Sequence, residues 1–400
     1  MANSPAPAIS AGEHNVFVTM LPITLAVFVG FLTIGLPLPV LPLHLHYTLG
    51  MSNVLVGVAV GGQFAASLVS RAPAGAFADT RGSKRAMMLG LSIAALSGLA
   101  YLASLAFVAT PMTSFGVLLL GRALLGCAES LIITGALSWG MHLVGPGNAG
   151  KVMAWVGIAM YAAYGAGAPI GTLIYGPSGF FGISIATIVV PLVALLIVAP
   201  TRPIKVHATH RVPFYTVLGK VWVPGLGLFL CSAGFGVITT FVALLFAAKN
   251  WGSASLAFTA FGIAFIGVRL LFAHLPDQIG GGKVALVCVL IEAIGQLLIW
   301  QADGVVMAYA GAALTGFGYS LAFPSFGVEA VRRAPPQNRG VAMGAYVAFL
   351  DISLGSTGPA AGAIANATSV STVYLAGAVT VALSAVVAVY LLVKAPHPAA

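Results

Sequence analysis

Charge is what this 400-residue sequence has least of: Asp, Glu, Lys and Arg together make up 6% of it. A water-facing domain carries about 25%, so a soluble globular fold is excluded. Cysteine is also scarce. Cys127, Cys231 and Cys288 lie far apart inside apolar runs, with no CxxC spacing, and read as inert thiols. The sequence holds no nucleotide-binding loop, no nucleophile triad and no carboxylate or cysteine cluster around its histidines. An enzyme or receptor reading therefore has nothing to stand on, and neither a cofactor nor a metal is expected. His44, His46, His207 and His210 read as solvated or interfacial. Alternating segments of about ten residues, the mark of a membrane barrel, are missing too.

Hydrophobic residues make up 60% of the chain. Apolar runs fall at 16–43, 53–78, 86–108, 114–142, 150–175 and 180–199, then at 222–248, 254–276, 284–302, 305–330, 340–365 and 372–393. Each is long enough for a spanning helix, which needs about 20 residues. The first exceeds a signal-peptide core and lacks a basic start and a cleavage site, so it too reads as a span. The expected fold is all-α and polytopic: twelve transmembrane helices in two six-helix halves, 1–199 and 222–400. The polar stretch 200–221 joins them as a cytoplasmic linker. Pro37, Pro39 and Pro42 are expected to bend or open the first span. Trp222, Trp251 and Trp300 fall near run ends, where an interfacial belt sits.

The basic residues settle the expected orientation. Arg81, Lys84, Arg85, Lys151, Arg202, Lys205, Arg211, Lys220, Lys283, Arg332, Arg333, Arg339 and Lys394 share one side of the membrane, and Lys249 alone falls on the other. Positive loops stay inside, so both termini are expected in the cytoplasm. The net charge of +9 is then a topology signal and an anchor to anionic lipid, and nucleic acid is not an expected partner.

The two halves repeat each other. At an offset of 198, Arg71 falls on Arg269, Asp79 on Asp277 and Gly82 on Gly280. At an offset of 190, Gly121, Gly126 and Ser130 fall on Gly311, Gly316 and Ser320, and Asn148, Gly150, Met153, Gly165 and Pro169 fall on Asn338, Gly340, Met343, Gly355 and Pro359. Parallel repeats of this kind place a site between the halves, reached alternately from each side.

The turn 75-GAFADTRGSKR-85 carries the G-x-x-x-D-x-x-G-x-K-R pattern at Gly75, Asp79, Gly82, Lys84 and Arg85. It resembles the loop signature of the major facilitator superfamily. The second copy keeps Asp277, Gly280 and Lys283 but has Ala273 in place of the first glycine. The resemblance implies a cytoplasmic conformational latch. Arg122 with Gly126 resembles the family's R-x-x-x-G element, which implies a proton-linked role for Arg122. The segment 165-GAGAPIG-171, with Gly165, Gly167, Pro169 and Gly171, resembles the family's antiporter signature. It departs at Ala168 and Thr172. Longer stretches, "GLPLPVLPLHLH", "GCAESLIITGALSWG" and "DISLGSTGP" among them, resemble the bacterial YhhS/YfcJ-type subgroup, regarded as efflux permeases. The resemblance implies a monomeric transporter of the bacterial inner membrane, driven by the proton gradient and moving a small molecule.

Charges inside the runs mark function, because each costs about 2.5–3.5 kcal/mol at a helix centre. Arg71 and Arg269 are placed to snorkel or to brace the latch. Glu292 reads as a protonated packing residue or one half of a local pair. Glu129 and Asp351 lie where the family's helices face the central cavity. A carboxyl shielded from water favours its neutral form, so proton exchange there can be tied to a change of shape. They are the expected coupling carboxylates, with Arg122 modulating one of them; fixed structural pairs are the plainer alternative. Arg122 and Glu129 are about 10 Å apart along one helix, too far for a relaxed direct pair. Tyr161, Tyr164, Tyr319, Tyr346 and Phe349 either line an amphipathic pocket or simply pack. Proton-driven export of amphipathic compounds leads, with proton-coupled uptake of a sugar or organic acid behind it.

Overall fold

The computed structural model describes residues 16–145, 149–201, 215–334 and 339–394. Their long elements are all helices: α1 (Val16–Gly35), α2 (Asn53–Arg81), α3 (Ser83–Ser104), α4 (Pro111–Val144), α5 (Ala149–Val198), α6 (Tyr215–Ala248), α7 (Ser255–Phe272), α8 (Gly281–Trp300), α9 (Val305–Arg333), α10 (Arg339–Ala367) and α11 (Thr372–Val393). Ten helices among the described residues are long and apolar enough to cross a membrane. The first expected run is present as the 20-residue α1. It ends at Gly35, and residues 36–40 form a turn around Pro37 and Pro39 before a short helical stretch over 41–48. Proline supplies no N–H to continue the ladder. The fifth and sixth runs share α5, whose 50 residues are broken at Gly179 (φ 59°, ψ −154°). An unbroken helix of that length would reach about 75 Å, more than twice the hydrocarbon thickness. The glycine is required there, since side chains are strained at that φ.

The expected linker is shorter than 200–221, because α6 already starts at Tyr215; residues 202–214, with Arg202, Lys205, His207, His210 and Arg211, lie outside the described set, as do Asn148 and Asn338.

The sequence repeat is a structural repeat. Gly82, between α2 and α3, has φ 100° and ψ 144°; Gly280, ahead of α8, has φ 98° and ψ 138°. Within the first half, α4 packs on α2 and α3; within the second, α9 packs on α7 and α8. Side-chain-free contacts set both approaches. A Cβ on Gly126 of α4 would strike the Gln63 carbonyl of α2, and one on Gly316 of α9 would strike the Phe261 carbonyl of α7. The neighbouring serines use that closeness alike: Ser130 Oγ donates to the Ser67 carbonyl at 2.8 Å and Ser320 Oγ to the Phe265 carbonyl at 2.7 Å. Small residues and interhelical hydrogen bonds are what hold helices together once lipid removes the hydrophobic drive.

The halves meet along two seams, α2 with α10 and α5 with α7. At the end opposite the basic loops the first seam is closed backbone to backbone. Gly57 lies against Gly358, Gly61 against Gly355, and Gly362 against Asn53, whose backbone N–H also donates to Asn366 Oδ1 at 3.2 Å. Towards the basic end, an added Cβ on Gly344 of α10 would meet no heavy atom within 4 Å. The first seam is thus tight at one end and open beside Gly344. Cysteines introduced by Asn53→Cys and Asn366→Cys should therefore cross-link readily, and Gly358→Leu should cut the yield severalfold; an unchanged yield would show that the glycines do not set this closure.

Candidate functional site: a buried polar and aromatic seam

Arg122, on α4, is 1% exposed. Its counter-groups are neutral: Nε donates to the Ala59 carbonyl at 3.1 Å, Nη2 to the Val60 carbonyl at 3.3 Å, and Nη1 to the Tyr101 hydroxyl at 3.4 Å. Helix carbonyls keep a second lone pair after their own ladder bond, so α2 offers these acceptors without unwinding. Gly121 lies flat against the Tyr101 ring beside them. One helical face further on, Glu129 accepts from the Gln63 amide at 2.7 Å. The two charges of α4 thus each dock on α2, separately. Arg122 and Glu129 form no direct pair, in keeping with their spacing: the fork of Arg122 is taken up by backbone and a phenol.

Asp351, on α10 and 2% exposed, belongs to Arg71. Arg71 Nη2 is 2.5 Å and Nε 2.7 Å from the same carboxylate oxygen. Arg71 was expected to snorkel or brace the loop; instead it reaches across the seam and ties α2 of one half to α10 of the other. Its own helix carries no acid near it, and α10 supplies the nearest one.

The second seam carries the repeat of this arrangement with different chemistry. Position 161 repeats 351, 319 repeats 129, 261 repeats 63, and 269 repeats 71. Where the first seam has Asp351, Glu129 and Gln63, the second has Tyr161, Tyr319 and Phe261. The Tyr161 ring stacks on Phe265 at 3.8 Å between centroids and meets Phe235 at 5.5 Å and Tyr319 at 6.1 Å; Phe235 stacks on Tyr319 at 5.6 Å, and Tyr164 joins Phe235 at 5.9 Å. Residues from α5, α6, α7 and α9 thereby build one aromatic cluster that spans both halves.

The chain that carries this site has relatives along most of its length. The Major Facilitator Superfamily model matches the chain twice, over residues 23–251 and 225–400. The chain belongs to the major facilitator superfamily. Among its relatives are an uncharacterized MFS-type transporter of Salmonella typhimurium, 42% identical over 96% of this chain and 98% of its own, and the uncharacterized MFS-type transporter YhhS of Escherichia coli K12, 43% identical over 89% and 88%. The human organic anion transporter MFSD10 superposes with a TM-score of 0.70 at 14% identity over 94% of this chain and all of its own; the nucleoside transporter NupG gives 0.77 at 15% over 93% and 99%. The protein is an integral membrane transporter of this superfamily.

In this transporter the remaining candidates fall as follows. Gly75 and Asp79 are half-buried in the last turns of α2, Arg85 is exposed, and Lys84 Nζ donates to the Ala199 and Thr201 carbonyls at 2.7 Å each, capping the end of α5. A lysine at a helix C-terminus satisfies carbonyls that have no ladder partner. In the second copy Asp277 and Lys283 are exposed. The antiporter-like segment presents two faces: Gly165 lies on Gly262 of α7, while Gly167 and Gly171 lie on Gly35 and Leu36 of the first helix and its turn. Pro169 leaves the Gly165 carbonyl without its ladder donor, and Thr259 Oγ1 of α7 supplies one at 2.8 Å.

For Tyr346, Phe349 and Glu292 one of the two stated alternatives is found, and the expectations for His44 and Arg269 are corrected. Tyr346 packs within its own half, its hydroxyl donating to the Phe323 carbonyl at 2.6 Å, and Phe349 fills the space over Gly225; neither joins the cluster. His44 is buried and stacked on Phe180 at 4.1 Å. Glu292 has neither a local partner nor an ion pair among the described residues, and both its carboxyl oxygens are enclosed without a hydrogen bond. Arg269 does not snorkel but lies over the Phe265 ring. Sequence reasoning missed Gln63, Tyr101, Phe235, Phe261 and Phe265. It also missed Glu329, which pairs with Arg333 at 2.5 Å and Arg332 at 3.5 Å near the basic end; the E-x-x-R-R spacing was the available signal.

A buried pair is costlier to break than to replace. Arg71→Met and Asp351→Leu should each lower stability in detergent, by about 3 kcal/mol or less given Arg71's partial exposure. The double variant should recover most of that loss in a thermal melt; simple additivity would show that the two side chains do not pair.

Proposed function

We propose that this transporter is a proton-coupled exporter of small amphipathic compounds, working by alternating access between two six-helix halves. On this reading the chain crosses the bilayer of a bacterial inner membrane twelve times, α5 accounting for two crossings. The basic end, with both termini, is cytoplasmic. The observation that carries the proposal is the Arg71–Asp351 pair joining the two halves beside an aromatic cluster that also spans them.

The coupling follows from charge. An ionised Asp351 holds α10 to α2 through Arg71. A proton on Asp351 removes the attraction and frees α2 and α10 to separate, so proton arrival and seam opening are one event. Glu129 is the second station: it lies on α4 behind the same helix, tied to it by the Gln63 amide. Any shift of α2 changes the setting of both carboxylates. The latch residues Gly75, Asp79, Gly82, Lys84 and Arg85 act at the basic end, where Lys84 links the α3 start to the α5 end. Gly280, Asp277 and Lys283 repeat that loop in the second half.

Uptake of a polar anion would call for Arg122 on the cavity rim. Arg122 is enclosed among α2 carbonyls instead, and the surface between the halves is aromatic, which favours export of amphipathic cargo. The cargoes named for the two solved relatives, an organic anion and a nucleoside, differ from each other, so the shared fold does not choose between them.

Purified protein in liposomes with an acidic lumen decides the matter. Antiport drives a fluorescent amphipathic dye into the lumen as protons leave; symport drives it outwards. Accumulation in the lumen is expected, and Glu129→Gln should reduce it at least tenfold while leaving gradient-free exchange largely intact. Dye movement indifferent to the gradient would sink the coupling claim.

A further inference from the structure

The repeat puts an arginine at the same place in both seams, and only one of them has a counter-ion. Arg71 holds Asp351. Arg269 occupies the matching position on α7, but the residue that repeats Asp351 is Tyr161. No carboxylate among the described residues forms an ion pair with Arg269. Of its five N–H donors, one is used by the Ser320 carbonyl at 2.7 Å. Nη1 lies against Gly157 of α5, in the space a side chain there would fill, and neither Nη1 nor Nε has a hydrogen-bond partner among the described residues. The guanidinium sits 4.7 Å from the Phe265 ring centre, and Phe265 in turn stacks on Tyr161. A guanidinium placed over one ring of an aromatic cluster, with most of its donors unused, is suited to accept something that lies on the seam.

An unpaired cation inside the membrane is costly, and a chain that has paired the same residue in its other half has an evident remedy for it. We propose that the missing anion belongs to the cargo: Arg269, Tyr161, Phe265 and Tyr319 form a station for a planar aromatic carboxylate. The carboxylate takes the open donors of the guanidinium, which match its two oxygens in one plane. The ring lies in the cluster of Tyr161, Phe265 and Tyr319, where offset and edge-on contacts are favourable. Asp351 and the cargo's carboxylate then play the same part in the two seams, each neutralising one arginine between the halves. This rests on the amphipathic-cargo reading and narrows it to anions, and it explains why the aromatic seam carries a positive charge at all.

The test is binding, measured without any gradient. Purified full-length protein is titrated with 2-naphthoate and with 2-naphthamide, which has the same ring and shape but no charge, and calorimetry reads both affinities. The carboxylate should bind at least tenfold more tightly than the amide, and Arg269→Gln should erase the difference. Tyr161→Asp gives Arg269 the internal partner that Arg71 has, so it should fold at least as well as the parent and lose naphthoate binding at least tenfold. Equal binding of the two probes, or a carboxylate preference that survives Arg269→Gln or Tyr161→Asp, overturns the proposal. Because no proton gradient enters, failure of coupling in liposomes and failure here are separate results.

Discussion

The buried charges of α4 depend on glycine letting one helix lie against the carbonyls of another. Gly126 sits on the Gln63 carbonyl, and only at that separation can Arg122 reach Ala59 and Val60, Glu129 reach Gln63, and Ser130 reach Ser67. Polar groups in lipid find no water, so they must be satisfied by protein. A larger residue at 126 would push α4 away from α2 and leave an arginine, a carboxylate and a serine short of their acceptors together. The polar contacts of α4 are therefore one cooperative unit whose common cause is the absence of a side chain.

The second half keeps the scaffold of that unit and discards its charges. Gly316 lies on the Phe261 carbonyl and Ser320 reaches Phe265, but Arg122, Glu129 and Gln63 are repeated by Ala312, Tyr319 and Phe261. A duplicated framework has thus been filled with ion pairs and amides on one side and with rings on the other. Since the framework contacts are unchanged, the substitution alters what the seam can bind and leaves how the helices approach as it was. On the proposed coupling a division of labour follows: one seam would respond to protons, and the other offers an apolar surface with a single cation.

Much of this was legible in the sequence, for definable reasons. Spans show because lipid tolerates so few polar residues, and the repeat shows because glycine, proline and the loop carboxylates recur at fixed offsets. Glu129 and Asp351 stand out as charges against an apolar background. Their partners did not. Gln63 is 66 residues from Glu129 and Arg71 is 280 from Asp351, so no local spacing announces either pair. Phe235, Phe261 and Phe265 were invisible for the opposite reason: a phenylalanine in an apolar run has nothing to contrast with. The break at Gly179 did show, as the gap between the runs 150–175 and 180–199, even though the helix is otherwise continuous there. The offset between copies held one unread clue. Arg71 and Arg269 coincide while Asp351 and Tyr161 coincide, which already says that one arginine is paired and its twin is not.

The two seams also differ in how they are fastened, and the prolines explain it. Pro169 and Pro359 repeat each other, and each strips the ladder donor from a glycine carbonyl four residues earlier, Gly165 in α5 and Gly355 in α10. On the aromatic seam the stripped carbonyl is answered by the Thr259 hydroxyl of α7. On the polar seam the repeat of Thr259 is Gly61, which presents only backbone to Gly355. A hydroxyl bond is directional and fixes the distance between α5 and α7. A glycine contact lets α2 and α10 come closer, yet gives them no bond to lose on parting. The polar seam is thus held across the halves by contact, by the Asn53–Asn366 hydrogen bond at one end and by the Arg71–Asp351 pair, and on the proposed coupling a proton would undo the last of these. Between α5 and α7 the Thr259 hydroxyl bond has no charged partner. Rocking about α5 and α7 while α2 and α10 separate is the motion that the proposed alternating access would then follow.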